Sequence, residues 1–517
     1  MAWERREITD RMESQGMKTN VILFVRGILI LALLTAGWFA LELFWEMASG
    51  DFSIRGLFAI DREEARSLLS FLNVKLNQAI AVAFIAVGIA VPLTANMYSV
   101  KFLDFFIKNP IHASALVFVV LSNIIGTWAA YIVRNSTAPS LHVHLVFVLS
   151  VACLLLLFPY LAYVFRFLHP NTLLNLLDEE VRGNLRQARS ASKAADCRGR
   201  VAESLEHIAN IAIRSIDRAD RNTAIAGVLV LDRIARHYGK QKRKLSARWF
   251  QAEEAFFLGF SVQAVEEVSA TRSWLEMKLY SQMLEILRAA SPRMPELTST
   301  IASSIRELGL EPATLQDPNL RAMAMEFFNT FLRLTINRRD VRSVFILFDQ
   351  YRKLAEALLQ SYPEQVLEIA DYFQYYGQAA RDQQLSFVVE TVAYDLAQLV
   401  QKAWEMGASN RRELLERFLR YGMDGQTVLP GIRKAQALLA SYFLLSGRPE
   451  PAEVIRAGFR EMEAATIQNL KEALLRVTRP KYWEISERRM NIDYVPEAQR
   501  QKLKEFFESL EMAKKKA

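Results

Sequence analysis

Apolar positions gather in four long runs near the start of the chain: Asn20 to Trp45, Gln78 to Met97, Ile111 to Val133 and Val143 to Leu168. A helix needs roughly 20 mostly apolar residues to cross a bilayer. A helix that borders a water-soluble core keeps a polar stripe, and these runs keep none. Four transmembrane helices are therefore expected. From Asp178 onward the pattern changes. Apolar residues recur at three-and-four spacing, as in Val201 to Ile216 and Thr223 to His237, which predicts amphipathic helices. Lys240 to Phe260 interrupts them with a basic and then aromatic stretch that suits a short hairpin or loop, and helix resumes over Val262 to Ala290. Glycine and proline then divide the chain into paired helices. Leu320 to Ile336 pairs with Val341 to Leu359, Pro363 to Tyr376 with Ala380 to Met406, and Arg412 to Tyr421 with Gly431 to Ser446. Units of roughly 35–45 residues fall in the range of helical repeats. The expected fold class is all-α: a four-helix transmembrane domain followed by a helical, solenoid-like cytoplasmic domain. The expected divisions are an arm over 1–19, the membrane domain over 20–168, a membrane-proximal basic helical domain over 169–310 and a helical-repeat-like domain over 311–517.

The length of 517 residues leaves ample chain beyond the membrane block for a second core. The first apolar run is too long for a cleaved signal segment and ends in bulky aromatics, so it reads as an anchor. Four crossings place both termini on one side. Basic residues flank the expected inner ends (Arg5, Arg6, Arg11 and Lys18, then Lys101 and Lys108, then Arg166 and Arg182), whereas the third loop has Arg134 alone. This bias puts the termini in the cytoplasm, although the first loop carries Arg55, Arg62, Arg66 and Lys75 against it. The net charge of +8 is concentrated in Asp178 to Lys244, with fifteen basic and nine acidic residues. Such a segment suits anionic lipid headgroups. No nucleic-acid-binding module accompanies it.

Chemistry is sparse. Cys153 and Cys197 suggest neither a disulfide nor a zinc site. His142 and His144 stand two apart and do not share a helix face. No nucleophile elbow or phosphate-binding glycine loop occurs, so no catalytic residue, metal or cofactor is assigned and an enzyme is not expected. Within the apolar runs Asn96, Asn123 and Thr127 are candidates to line a pore, with Lys101 and Lys108 at its cytoplasmic mouth. The same polar residues serve equally as fasteners between helices. Ser215 to Arg236 holds Asp217, Asp220, Asn222 and Thr223, which could bind a cation or polar ligand or form a capping turn.

Two stretches carry a resemblance. The second apolar run leads into ANMYSVKFLDFFIKNP (Ala95 to Pro110), and Ser215 to Arg236 reads SIDRADRNTAIAGVLVLDRIAR. These resemble a bacterial membrane-protein family of unknown function (domain-of-unknown-function family 2254), over roughly residues 20–310. Asn222, Thr223, Ala224, Leu231 and Asp232 fit its pattern. Val100 stands where a proline is usual, and the prolines of the cytoplasmic stretch are missing. The resemblance implies a multi-pass protein of a bacterial inner membrane and no particular activity. Two functions are expected. One is an oligomeric channel or transport-type protein, since four helices need several copies to enclose a pore. The other is a membrane-anchored helical-repeat scaffold that binds a protein partner.

Overall fold

The computed structural model describes residues 44, 61–99, 101–135, 140–422, 428–481 and 491–516. The arm 1–19, the first apolar run apart from Phe44, and most of the first loop lie outside the described residues. All regular elements among the described residues are helical, without a strand. The chain forms two compact units, Met1–Leu173 and Leu174–Ala517.

The first unit contains α1 (Arg62–Met97), α2 (Lys101–Ile107), α3 (Pro110–Asn135) and α4 (Ser140–Phe167). Among the described residues three helices, α1, α3 and α4, are long and apolar enough to cross a membrane. The three pack on one another. Their shared core includes Ala65 and Leu69 of α1, Ala129 of α3, and Val143 and Val146 of α4. Ile85, Ile89, Val117, Ile124, Val148 and Phe158 face outward, an apolar exterior suited to lipid rather than water. At one end His112 is buried in an aromatic cluster, its ring 3.8 Å from Phe106 and 5.6 Å from both Tyr163 and Phe167.

The second apolar run, expected over Gln78 to Met97, starts earlier than its apolar residues suggest: α1 begins at Arg62, in the expected first loop, and continues unbroken for 36 residues. Asp61 caps it, accepting from the Glu63 amide at 3.2 Å. At 1.5 Å per residue this helix is about 54 Å long, against a bilayer core of about 30 Å. Ala65, Leu69 and Leu76 recur at helical spacing and are buried. Polar residues between them lower the average apolarity, so the segment reads as a loop in sequence while packing as part of the bundle.

The second unit continues α5 (Pro170–Gln187) into α6 (Ala194–Asp217), α7 (Arg221–Gln241), α8 (Val262–Ala270), α9 (Trp274–Ala290), α10 (Pro295–Gly309), α11 (Pro312–Leu315), α12 (Pro318–Asn337) and α13 (Val341–Leu358). There follow α14 (Pro363–Asp382), α15 (Ser386–Met406), α16 (Arg411–Arg420), α17 (Pro430–Leu445), α18 (Pro449–Ala457), α19 (Ala464–Leu475) and α20 (Glu497–Lys516). The long helices stack in two rows. One row runs α7, α10, α13, α15, α17, α20, and the other runs α6, α9, α12, α14, α16. Cross-contacts join α6 to α7, α9 to α10, α12 to α13 and α14 to α15. This is a helical repeat-like fold of stacked antiparallel pairs.

One turn geometry recurs. Among the described residues Ala219, Arg272, Arg339, Gln384, Gly407 and Gly447 have left-handed backbones. In each case the next amide donates to a carbonyl five residues back: Asp220 to Ser215 at 2.8 Å, Ser273 to Val268 at 2.8 Å, Asp340 to Thr335 at 2.9 Å, Leu385 to Ala380 at 2.9 Å, Ala408 to Ala403 at 2.9 Å and Arg448 to Phe443 at 2.9 Å. This closure satisfies helix-end carbonyls and reverses the chain. Two of these turns also match in sequence. Ser215, Ile216, Arg218, Asp220 and Thr223 correspond to Thr335, Ile336, Arg338, Asp340 and Ser343. Asp220 and Asp340 cap the following helices by accepting from the amides of Thr223 at 3.2 Å and Ser343 at 3.1 Å.

Three boundaries differ from the sequence reading. Val262 to Ala290 splits at Arg272 into α8 and α9. The break expected near Gly377 falls instead at Gln383 to Leu385, and Gly377 sits inside α14. Its missing side chain makes room for the Tyr421 hydroxyl, which a Cβ would strike. Lys240 to Phe260 forms short 3-10 turns over Lys242–Lys244, Ala247–Phe250 and Glu254–Phe256, and no hairpin. Trp249, Phe250 and Phe257 turn inward. Trp249 is fully buried 5.0 Å from the Trp274 ring, and the Trp274 indole N–H donates to the Trp249 carbonyl at 2.8 Å.

Gly377→Ala is expected to destabilise the protein by about 1–3 kcal/mol, as overpacking does. Gly199→Ala, at a helical site with open space around the new Cβ, is expected to gain about 0.5–1 kcal/mol. Thermal unfolding of both variants checks this pair of opposite signs.

Candidate functional site

A cleft of about 570 Å³ opens in the second unit, among α7, the 3-10 turn after it, α9 and the starts of α11 and α12. Its charged wall begins on α7. Arg236 lies four residues after Asp232, and the spacing brings both onto one helix face. The guanidinium holds Asp232 through two bonds of 3.0 and 3.1 Å and reaches Glu307 at 2.8 Å and Glu311 at 2.5 Å. Burial opposes its charge, but the Asp232 hydrogen bonds and the fields of Asp232, Glu307 and Glu311 outweigh this and raise it above its usual range.

The deep end is built by α9. The Glu276 carboxylate accepts from the Lys242 ammonium at 2.6 Å through Oε1, while Oε2 is buried without a hydrogen-bond partner. Burial pushes the Glu276 carboxyl up, against the opposing pull of Lys242. The Tyr238 hydroxyl is also buried and lies near the Trp249 indole without reaching hydrogen-bonding geometry. Burial and the nearby Glu276 raise Tyr238 and Tyr280 far above the ordinary phenol range. Phe250 and Tyr280 add aromatic surface, and Arg272 lies 5.4 Å from the Phe250 ring centre. At the rim Lys240 and Arg243 are exposed, and Arg243 donates to the neutral Gln316 amide at 2.9 Å. The lining holds five cations, Arg236, Lys240, Lys242, Arg243 and Arg272, against the carboxylates of Glu276, Glu311 and Asp317. It can therefore offer both a buried acceptor and unneutralised positive charge.

The residues singled out from sequence lie elsewhere. Asn123 on α3 donates its amide to the Asn77 side chain of α1. The Thr127 hydroxyl donates to the Asn123 carbonyl at 2.9 Å. Asn73, one turn before Asn77, packs where a Cβ on Gly126 would lie. Asn96 is exposed on α1. It stands nineteen residues beyond Asn77, about 28 Å along the helix, so the structure does not bring it to the level of Asn123. Lys101 begins α2 and its amide donates to Ser99 Oγ at 3.3 Å, while Lys108 is exposed just after α2. Asp220 and Thr223 form the capping turn described above. Asp217 pairs with Arg293 at 3.1 Å on the surface, and Asn222 is exposed. Among the described residues no group of histidine, cysteine and carboxylate side chains could hold a metal.

Sequence reading missed Glu276, Lys242 and Tyr238 because Glu276 lies more than thirty residues along the chain from the other two. A usable signal existed for Asn73 and Asn77, whose four-residue spacing puts them on one face of α1.

No family model matches this chain, and no curated protein does. Among solved structures it is similar to a "circular tandem repeat protein with novel repeat topology and enhanced subunit contact surfaces", at 12% identity and a TM-score of 0.32, over 87% of this chain and 97% of that one.

Because the folded carboxyl of Glu276 is raised, the folded protein binds more protons than the unfolded chain above the ordinary glutamate range. Stability from this group is full below that range and is lost as pH rises through the raised value. Melting temperatures measured against pH should show this decline in the unaltered protein and a flatter profile in Glu276→Gln.

Proposed function

We propose that this chain is a membrane-anchored helical-repeat scaffold. In this reading the second unit is an α-solenoid whose stacked pairs offer a long surface to a protein partner, and the membrane unit tethers it. The run Asn20 to Trp45 would supply a fourth crossing, with both termini in the cytoplasm of a bacterium. The basic segment from Asp178 to Lys244 would favour anionic headgroups.

The observation that carries the choice is the bond between Asn123 and Asn77. Polar side chains in a membrane either line a path or fasten helices. Here the central candidate spends its amide on a neighbouring helix, and Thr127 spends its hydroxyl on its own helix. Asn123 thus fastens two helices within one protomer and Thr127 is satisfied within its own, which supports tethering over conduction.

Full-length protein in liposomes is expected to pass neither inorganic cations nor anions. Asn123→Leu is expected to lower thermal stability without opening a flux. Ion flux in the unaltered protein, abolished by Asn123→Leu, would overturn the scaffold reading and restore an oligomeric channel.

A further inference from the structure

We propose that the cleft between α7 and α9 is a binding site for a purine mononucleotide. This goes beyond the scaffold reading and does not depend on it. Four observations specify the ligand. The first is size. A cleft of about 570 Å³ falls within the roughly 300–1,000 Å³ of small-molecule sites. An amino acid or an inorganic anion would leave most of it empty.

The second is the buried acceptor. Glu276 Oε2 has no hydrogen-bond partner although its other oxygen is held by Lys242. A buried, unpaired carboxylate oxygen is costly, and a ligand that brings an N–H donor recovers that cost. The exocyclic amine or ring N–H of a purine is such a donor, and the Tyr238 hydroxyl beside it can also bond to the base. A fatty acid or a simple sulfonate has no such group.

The third is the apolar surface. Tyr238, Phe250 and Tyr280 line the cleft with Leu279 and Leu320, a predominantly apolar wall for a flat ring and sugar. The fourth is the rim. Arg243 is bound to a neutral amide, Arg272 lies against an aromatic ring, and Lys240 is exposed. None of these contacts neutralises the three cations, so a phosphate has charge-assisted partners there. An unpaired buried acceptor, an apolar wall and unneutralised cations lining one cleft match the N–H donor, flat base and phosphate of a mononucleotide.

The test is calorimetric titration of purified full-length protein with AMP and GMP, with adenosine, guanosine and inorganic phosphate as partial probes. At least one mononucleotide should bind, and its nucleoside and phosphate alone should bind at least about tenfold more weakly. Arg243→Gln, an exposed change that should leave the melting temperature unaltered, should weaken the mononucleotide about tenfold and leave the nucleoside unaffected. Glu276→Gln should weaken nucleotide and nucleoside alike. Should that variant fold poorly, Arg243→Gln still decides the question. The proposal is overturned if neither AMP nor GMP binds, or if binding is indifferent to Arg243→Gln in a folded variant.

Discussion

Every helix in the second unit faces one constraint: its last carbonyls need partners, and the chain must turn back within a few residues. The recurrent left-handed turn meets both needs at once. Four of its six left-handed positions are not glycine (Ala219, Arg272, Arg339 and Gln384). A side chain there costs on the order of 1 kcal/mol, so the surrounding packing must hold the conformation. Two turns add polar anchors. Ser215 and Thr335 are fully buried and bond to carbonyls of their own helices, Ile211 at 2.8 Å and Phe331 at 2.9 Å. Asp220 and Asp340 then start the next helix. One closure geometry repeated along the chain produces antiparallel pairs with similar packing, and these stack into two rows.

The cleft lies where that regularity lapses. After α7 the chain does not reverse through the common turn. It passes through three short 3-10 segments before α8. Trp249 and Phe250 are drawn into the core, and Lys242 is carried across to Glu276. The detour leaves a gap among α7, α9 and α12 that the side chains do not fill. Local departure from an otherwise consistent pattern is where function is expected.

The first unit, with three helices long and apolar enough to cross a membrane, follows a different rule. In a bilayer, apolar surface does not drive helices together, so close approach and polar bonds do it. Gly126 and Asn73, then Asn123 and Asn77, supply both along the contact of α1 with α3. The same contact explains why α1 extends so far beyond its most apolar stretch: its earlier turns are part of the bundle.

Much of the architecture was legible in the amino-acid order. Hydrophobic period and run length determined the helical class and, of the four expected crossings, three helices long and apolar enough to span a membrane; the first run, apart from Phe44, lies outside the described residues. The proline and glycine marks located most helix pairs, and Asp220 with Thr223 signalled a cap. These are local properties, written within a turn or two of chain. What tertiary structure decided was which distant segments meet. Gly377 looks like a helix end in sequence and proves to be the space Tyr421 occupies. The aromatic stretch after Lys240 reads as a short hairpin or loop in sequence; it is a loop of 3-10 turns, and only the tertiary structure draws Trp249, Phe250 and Phe257 into the core. Glu276, Lys242 and Tyr238 carry no motif, because their relation depends on packing α7 against α9 across more than thirty residues. Burial then sets their chemistry: a carboxylate is ordinary in water and becomes a demanding acceptor once a folded wall removes its solvent.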